Sequence, residues 1–362
     1  MQQYIVGGSI RDVLLGLEPK DIDYVWTGAT PDDMTTRGFV QVGADFPVFL
    51  DSKGDQHALA RIERKVGTGY NGFECTFAPS ITIEDDLMRR DLTINSMAVK
   101  IEDWDQYCIT KDQSLVIDPF NGIQDLKYGY LTHTSAAFAE DPIRILRTAR
   151  FAARYGFTIS SDTLELMKNI APELNHVSTE RIWAEFAKGL MEKHPSKMMK
   201  ALYVCASEVN ILQPYLYFHE DVLDRCDASI PLECRFVLVG YDFRPDDYER
   251  LSIPNNCSRL NILYRQVKPL LWNYELLSNE DKIKLFTLTR SFNDDHNLEL
   301  IFKVMSVHRC FNTNLVDMIK RDLQILKQLD LTELIKGIKN GKDIQDIIFK
   351  ARISVLEENC HK

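Results

Sequence analysis

The chain has 362 residues, with 53 acidic and 43 basic side chains and a formal net charge of −10. Hydrophobic residues make up 45% and charged residues 27%, a globular composition that excludes a largely disordered protein. No uncharged apolar run approaches the roughly 18 residues of a membrane-spanning helix, and the first residues lack a secretory pattern. The acidic balance argues against indiscriminate nucleic-acid binding but allows a local basic groove.

The cysteines indicate the redox compartment. They are scattered through a long chain and contain no Cys-x-x-Cys pair, at positions 75, 108, 205, 226, 234, 257, 310 and 360. This spacing favours ordinary reduced thiols over a disulfide framework or a zinc site. We therefore expect a cytoplasmic protein without membrane association.

The first 130 or so residues alternate between short strands, turns and short helices. Residues 4–6 form a predicted strand, Gly7-Gly8 a turn, and residues 9–15 a helix that ends at Gly16. Residues 21–26 alternate, which places Asp21 and Asp23 on one face of a strand. Further short strands are predicted at residues 46–50, 57–62, 94–100 and 115–117.

The helical period dominates from about residue 140 onward. Apolar side chains recur there at spacings of three and four, as at Ile143, Leu146, Ala149 and Ala153. Prolines divide the following region into short helices, and residues 323–356 are again amphipathic. The pattern predicts an α+β protein in which a mixed head precedes an all-helical arm.

The first candidate site combines Gly7-Gly8-Ser9-x-Arg11-Asp12 with Asp21-x-Asp23. A Gly-Gly turn between a strand and a helix lets backbone N–H groups approach a phosphate. Two carboxylates at alternate strand positions repel one another unless a divalent cation lies between them, and oxygen ligands favour Mg²⁺. An isolated Asp-x-Asp pair more often faces solvent, but the upstream glycine turn favours a site for phosphoryl transfer.

The second candidate site lies in residues 84–95, where an acidic helix start is followed by Arg89-Arg90-Asp91. Such a segment also occurs as ordinary surface, because acids suit a helix N-terminus. As a site, Arg90 would offer a forked donor to a triphosphate. Asp91 and Asn95 would contact ribose hydroxyls.

The third candidate site is a stripe of arginines after Glu140-Asp141-Pro142. At 100° per residue, Arg144, Arg147, Arg150 and Arg154 fall within an arc of about 120°. A solvated basic face is one reading. Without interleaved acids the stripe repels itself, which predicts an anion, a triphosphate or an RNA backbone, against it. Asp141 and Arg144, one turn apart, would present an acceptor and a donor to the edge of a base.

Together these segments resemble one family, the bacterial class II CCA-adding tRNA nucleotidyltransferases with their poly(A) polymerase relatives. Five motifs occur in the family's order over roughly residues 1–200: GGSIRD (7–12), DID (21–23), RRDLTIN (89–95), DPFNGIQDL (118–126) and EDPIRILRTARF (140–151). The resemblance implies a polymerase-β-like nucleotidyltransferase head at 1–135. A helical neck that selects the nucleotide (136–200), a body (201–270) and a tRNA-binding tail (271–362) would follow.

The resemblance also implies roles for individual residues. Asp21 and Asp23 would be the catalytic metal ligands, with Mg²⁺ as the cofactor. Residues at the triphosphate and sugar would be Gly8, Arg11, Arg90, Asp91 and Asn95. Asp141 and Arg144 would select C and then A, with Arg147 and Arg150 close to the nucleotide. Residues 63–72 resemble the family's flexible loop, which is linked to the switch from C to A addition.

The implied activity is template-independent addition of CCA to tRNA with CTP and ATP, and a monomer is favoured. A poly(A) polymerase shares the head, but such enzymes are usually basic after the Asp-x-Asp strand, whereas residues 42–50 are apolar and acidic. An enzyme that adds only CC is disfavoured by the intact loop at 63–72, and a non-catalytic tRNA-binding protein by the two aspartates. No histidine is followed directly by an aspartate, so we expect no activity of the His-Asp phosphohydrolase kind.

Overall fold

The computed structural model describes residues 1–42, 48–65, 73–215, 220–240, 243–308, 312–338 and 340–359. The chain forms two compact units, an N-terminal unit (Met1–Leu216) and a C-terminal unit (Tyr217–Lys362). Among the described residues, no helix is long and apolar enough to cross a membrane.

The strands that the structure describes all belong to the N-terminal unit. They are β1 (Gln2–Val6), β2 (Asp23–Thr27), β3 (Val40–Val42), β4 (Val48–Leu50), β5 (Gln56–Leu59), β6 (Arg61–Lys65), β7 (Phe73–Phe77), β8 (Ala98–Lys100), β9 (Val116–Ile117), β10 (Tyr130–Leu131) and β11 (Thr158–Ile159). Seven of them form one mixed sheet in the order β3-β4-β5-β2-β1-β8-β9. Only the β2–β5 pair in this sheet is parallel, whereas β6 and β7 form a separate antiparallel hairpin.

The helices of the N-terminal unit are α1 (Gly8–Leu14), α2 (Pro31–Thr36), α3 (Ile83–Met88), α4 (Trp104–Thr110), α5 (Gly122–Tyr128), α6 (Ile143–Tyr155), α7 (Ser161–Ile170), α8 (Thr179–Leu190) and α9 (Pro195–Ala206). Those of the C-terminal unit are α10 (Glu220–Leu223), α11 (Leu232–Val239), α12 (Pro245–Arg250), α13 (Asn255–Trp272), α14 (Asn279–Thr289), α15 (His296–Ser306), α16 (Thr313–Lys327) and α17 (Gly341–Asn359). Short 3-10 helices include Thr93–Asn95 and Ala136–Glu140.

The sheet is held by apolar side chains on the face that α3 covers. Val6 of β1, Val25 of β2 and Ala98 of β8 pack with Leu87 of α3 in one buried cluster. A capping box begins α3, since Thr82 Oγ1 accepts from the Asp85 N–H while the Asp85 carboxylate accepts from the Thr82 N–H. The cap fixes where α3 starts and therefore where Arg89 and Arg90, directly after its last residue, lie.

The helical part of the N-terminal unit is built on α6. Ile145, Leu146, Ala149 and Ala153 are buried, as their spacing predicts, and α6 packs against α8 and α9. Gly189 lets α8 and α9 approach, because a Cβ there would lie 2.1 Å from the Met198 sulfur. The opposite face of α6 is left for its arginines.

The C-terminal unit has a separate helical core. Tyr274, Phe286, Ile301 and Ile319 are fully buried in a cluster drawn from α13 to α17 and the neighbouring segments. Arg235 is buried below them on α11 and donates to the backbone carbonyls of Cys226, Asp227 and Ile230. These bonds satisfy the buried Arg235 guanidinium within the unit.

The α+β architecture predicted from the sequence is confirmed, but the two strands beside β1 start later than predicted. The strand predicted at 21–26 begins at Asp23, and the strand predicted at 94–100 is confined to Ala98–Lys100. Both lie beside β1, which ends at Val6 because Gly7 turns away with a φ of +75°. Within the described residues, β2 pairs with no strand before Asp23 and β8 with none before Ala98.

Three other predicted segments differ from the structure or lie partly outside the described residues. The strand predicted at 57–62 is two strands, β5 and β6, separated at Ala60. Of the loop predicted at residues 63–72, residues 63–65 belong to β6 and residues 66–72 lie outside the described residues. Residues 46 and 47 of the strand predicted at 46–50 also lie outside them.

Candidate active site

The glycine turn lies directly beside the two aspartates. Asp23 is the Cα partner of Val6, the last residue of β1, so its side chain lies next to Gly7 and Gly8. Asp21 precedes the strand, and its carbonyl accepts a hydrogen bond of 2.8 Å from the buried Ser9 hydroxyl of α1. The Ser9 bond holds Asp21 beside the turn, and the pairing of β1 with β2 holds Asp23 there. The sequence predicted only the strand alternation.

The two carboxylates are electrostatically coupled. Partial desolvation in the cleft raises the pKa of Asp23 although the residue stays accessible, the Arg90 guanidinium opposes the rise, and the negative charge of Asp21 adds to it. Asp21 and Asp23 both line the same cleft. A cation placed between them would remove the repulsion.

The two carboxylates fit a divalent cation whose remaining ligands come from a nucleotide. Within the part of the chain that the structure describes, no three His, Cys, Asp or Glu side chains gather in a way that could hold a metal ion. Mg²⁺ is commonly bound by one or two carboxylates together with substrate phosphates and water. Asp21 and Asp23 supply two carboxylates, and the cleft beside them is wide enough for the remaining ligands.

Arg90 is held over the glycine turn by a buried acid. Asp86 of α3 is fully buried and accepts from both Arg89, at 2.6 and 3.0 Å, and Arg90, at 3.2 and 3.4 Å. Burial alone would raise the pKa of Asp86, but the two guanidinium groups outweigh it and hold the pKa below its ordinary value. A Cβ at Gly7 would lie 2.8 Å from Arg90 Nη1, and the φ of +75° at this residue also favours glycine.

Asn95 connects Arg11 to Asp91. Its Oδ1 accepts from Arg11 Nη1, and its Nδ2 donates to Asp91 Oδ1 at 2.9 Å. Arg11 also donates to Asp12 and lies over the rings of Phe151 and Tyr155 at 5.4 and 5.2 Å. Both ends of the Asn95 amide are thus bonded to protein groups here.

Asp91 joins this segment to the helices. Arg147 Nε of α6 donates to Asp91 Oδ2 at 2.9 Å. Burial would raise the pKa of Asp91, but Arg147, the Asn95 amide and Arg144 outweigh it and lower the pKa. The RRD segment and α6 are therefore linked by a charge-assisted bond.

The arginine stripe of α6 is partly neutralised by acids from elsewhere in the fold. Glu185 of α8 accepts from Arg150 Nε at 2.6 Å and lies 3.7 Å from Arg147 Nη1. Glu192 lies 3.8 Å from Arg150 Nη1. The expectation of a self-repelling stripe without acids is wrong, because the interleaving acids are distant in sequence: Asp91, Glu185 and Glu192.

Asp141 and Arg144 lie together at the start of α6. Asp141 Oδ1 accepts from the Ile143 N–H at 3.2 Å, and Oδ2 accepts from Arg181 Nη2 of α8 at 3.0 Å. Arg144 donates to the carbonyls of Ala137, at 2.9 Å, and Arg89, at 2.6 Å. Each member of the pair is therefore fixed by contacts of its own.

The motif at 118–126 lies behind the site. Asp118 accepts from the backbone N–H groups of Gly122 and Ile123 at 2.7 and 2.9 Å, which shapes the turn into α5. Asp125 accepts from the Thr93 hydroxyl at 2.6 Å, and a Cβ at Gly122 would lie 2.3 Å from the Thr93 carbonyl. The motif packs α5 tightly against the Thr93–Asn95 segment.

Most of these groups line one cleft of about 1130 Å³, and among the exceptions are Ser9, Asp86, Arg150, Glu192 and the 118–126 motif. The sequence-predicted residues on its walls are Gly8, Arg11, Asp21, Asp23, Arg90, Asp91, Asn95, Asp141, Arg144 and Arg147. Arg150 is buried behind Glu185 instead of lying on the wall. The cleft therefore combines two coupled carboxylates, a row of guanidinium groups and an acceptor–donor pair.

Three contributing residues were missed from the sequence. Asp86 could have been found, because it stands three and four residues before Arg89 and Arg90 in one helical segment. Glu185 and Arg181 gave no such signal, since their partners are 35 and 40 residues away.

Comparison with known proteins identifies similar sequences. A family model described as the Poly A polymerase head domain matches residues 3–132, and one described as a probable RNA and SrmB-binding site of polymerase A matches residues 156–206. A Multifunctional CCA protein of Nitrosomonas europaea is 52% identical over 278 residues, 69% of this chain and 65% of that protein. A CCA-adding enzyme of Pseudomonas putida is 44% identical over 277 residues, 73% of this chain and 72% of that protein.

The fold is also similar to solved structures. The Thermotoga maritima CCA-adding enzyme complexed with tRNA_CCA superposes with a TM-score of 0.67 at 22% identity, covering 99% of this chain and 90% of that chain. The chain spans between 47% and 65% of the first Multifunctional CCA proteins that it matches.

Proposed function

The chain belongs to the CCA-adding enzyme family of tRNA nucleotidyltransferases, and we propose from this that it adds C, C and A to the 3′ end of tRNA with CTP and ATP. The terminal hydroxyl of the RNA attacks the α-phosphorus of the bound nucleotide, and pyrophosphate leaves. The observation that carries the proposal is one cleft that contains both the coupled carboxylates and an acceptor–donor pair suited to a base.

Asp21 and Asp23 are proposed as the ligands of a divalent metal ion, which enzymes of this family use, and specifically of Mg²⁺. When bound there, Mg²⁺ would supply activation of the attacking hydroxyl and compensation of negative charge. Arg90 and Arg11, beside the glycine turn, are proposed to bind the triphosphate. Asp91 and Asn95 are proposed to orient the sugar, with Asn95 exchanging a protein partner for a ribose hydroxyl.

Base selection is assigned to Asp141 and Arg144. The pairing edges of C and A each carry an amino group, a donor, next to a ring nitrogen, an acceptor. A carboxylate acceptor beside a guanidinium donor matches that pattern, whereas U and G present a carbonyl where the amino group would be. The pair would therefore accept C and A and reject U and G without a nucleic-acid template. Arg147 is proposed to support the nucleotide from α6, with Arg150 behind the cleft wall, paired to Glu185.

The tRNA is proposed to be held mainly by residues 201–270 and 271–362, a body and a tail, while residues 1–135 and 136–200 act as head and neck. The C-terminal unit supports this assignment because its helices pack on a core of their own. We place the reaction in the cytoplasm with a monomeric protein. Five cysteines within the described residues are free thiols, as a reducing compartment favours.

One assay tests the proposal. The protein is incubated with tRNA lacking CCA, tRNA ending in CC and an unrelated RNA, each with single nucleotides and with CTP plus ATP, and product lengths are measured. We expect three additions to the first RNA, one A to the second and none to the third. Failure to extend either tRNA would contradict the proposal.

The second candidate is a poly(A) polymerase, which the match to the Poly A polymerase head domain favours. It predicts long A tracts on the unrelated RNA. An enzyme that adds only CC would stop after two residues on the first RNA and leave the second unchanged.

A further inference from the structure

Helix α8 presents a cation to the candidate base-selecting acid. Arg181 lies in the first turn of α8, which packs against α6, and its Nη2 is 3.0 Å from Asp141 Oδ2. Both residues line the cleft, with 35% of the Arg181 side chain and 26% of the Asp141 side chain exposed. The contact was not predicted from the sequence, and no family motif identified there includes Arg181.

Two bonds on different oxygens fix the orientation of Asp141. The Ile143 N–H holds Oδ1 and Arg181 holds Oδ2, so rotation of the carboxylate would break one or both bonds. An ionised carboxylate has about four acceptor positions. Acceptor capacity therefore remains for the amino group of a bound base.

Other cations in the cleft compete for this carboxylate. Burial lowers the pKa of Arg147, but the charges of Asp91 and Glu185 outweigh it and raise the pKa, and the charge of Asp141 adds a smaller rise, so Arg147 is within electrostatic reach of Asp141. Arg144 follows Asp141 by three residues on the same wall. If Asp141 turned toward either arginine, the acceptor would no longer face the base.

We propose that Arg181 is a positioning residue for nucleotide specificity: its guanidinium holds the Asp141 carboxylate in the orientation that accepts the amino group of C or A. The proposal rests on the proposed function of the cleft. It assigns to α8 a part in selecting the base that is separate from the metal-binding carboxylates. Removing Arg181 should relax discrimination without abolishing transfer.

An ordinary ion pair on a partly exposed surface would behave differently. Such pairs contribute little to stability, and their removal would change every nucleotide reaction to the same extent. The ratio of kcat/KM between correct and incorrect nucleotides separates the two cases, because a general structural loss cancels in the ratio.

The test uses the full chain with Arg181→Gln. On tRNA lacking CCA, kcat/KM is measured for CTP and UTP, and on tRNA ending in CC for ATP and GTP. We expect both ratios to fall about threefold to tenfold, since the bond is charge-assisted but partly solvated. Arg181→Lys should restore part of each ratio, because lysine keeps the charge but lacks the fork. The matched control is Lys188→Gln, which removes an exposed cation from the same helix and should leave both ratios unchanged.

A double-mutant cycle with Asp141→Asn completes the test. If Arg181 acts through Asp141, adding Arg181→Gln to Asp141→Asn changes the ratios no further. Unchanged ratios in Arg181→Gln alone, or an equal additional loss in the double variant, would overturn the proposal. Absence of any addition by the wild-type chain would instead refute the proposed function, so the two failures are distinguishable.

Discussion

At the scale of single residues, the site depends on buried acids that orient arginines. Asp86 holds Arg89 and Arg90, and Asp91 holds Arg147. Guanidinium groups are long and flexible, and an unpaired one would sample many positions. Pairing with a buried carboxylate fixes the fork at the edge of the cleft while leaving the positive charge there to meet a triphosphate.

The Asp23→Asn variant should lose nucleotide incorporation, by at least about a hundredfold, while keeping its fold. The amide removes one of two carboxylates proposed for the metal, whereas Asp23 is exposed at the cleft and contributes little to packing. Incorporation on tRNA and thermal melting measure the two effects. The control is Asp32→Asn, an exposed acid on α2. Wild-type incorporation by Asp23→Asn would refute the metal assignment.

The Asp86→Asn variant should lower the free energy of unfolding by on the order of 3 kcal/mol at pH 7, because a buried partner of two arginines loses its charge. The lowered pKa of Asp86 makes this effect depend on pH. The stabilisation is fully present above the unfolded pKa of about 4 and is lost as the pH falls below it. Melting curves from pH 3 to 7 should show the difference between wild type and variant narrowing at the acid end. A difference independent of pH would contradict this account.

At this scale the sequence predicted contiguous motifs well and distant partners poorly. Asp21, Asp23, Arg90 and Asp141 were predicted because their neighbours carry the pattern, and all four line the cleft. The partners of Arg147 and Arg150 were not found, since tertiary packing alone brings Glu185 to them.

At the scale of elements, α6 and α8 pack against each other and both line the cleft. Arg181 and Glu185 are one turn apart on α8, and each meets a residue of opposite charge at or near α6. The helical period predicted the buried face of α6. It did not predict which acids neutralise the other face, because periodicity carries no information about the packing partner.

The Glu185→Gln variant should lower the free energy of unfolding by on the order of 3 kcal/mol and raise the KM for nucleotides. Glu185 is buried against Arg150 and near Arg147, so its loss leaves two guanidinium groups undercompensated. Chemical denaturation and steady-state kinetics measure these effects. Glu165→Gln, an exposed acid on α7, is the control and should change stability by less than about 0.5 kcal/mol. Equal stability of the two variants would contradict the role given to Glu185.

Strand ends were the least predictable elements. Alternation continues in the sequence to Asp21, but β2 has a partner only as far as Val6 of β1, so it begins at Asp23. The end of the ladder is set by the positive φ of Gly7. Gly7 thus ends β1, and Gly7 and Gly8 both line the cleft.

At the scale of the whole molecule, the chain divides into two units with separate cores. Every residue that lines the cleft belongs to the N-terminal unit. Residues 1–216 alone should therefore fold and bind CTP and ATP within about twofold of the full chain, but bind tRNA much more weakly. Calorimetry and filter binding measure the two affinities. Loss of nucleotide binding, or full retention of tRNA binding, would contradict the division of labour.

The central claim is that one protein cleft selects C and then A without a template. The most direct measurement is to supply all four nucleotides with Mg²⁺ to a tRNA that lacks its terminal triplet and to sequence the extended 3′ ends. We predict that nearly all extended molecules end in CCA and that none grows further. Tracts of a single nucleotide, or ends in which U and G occur as often as C and A, would contradict it.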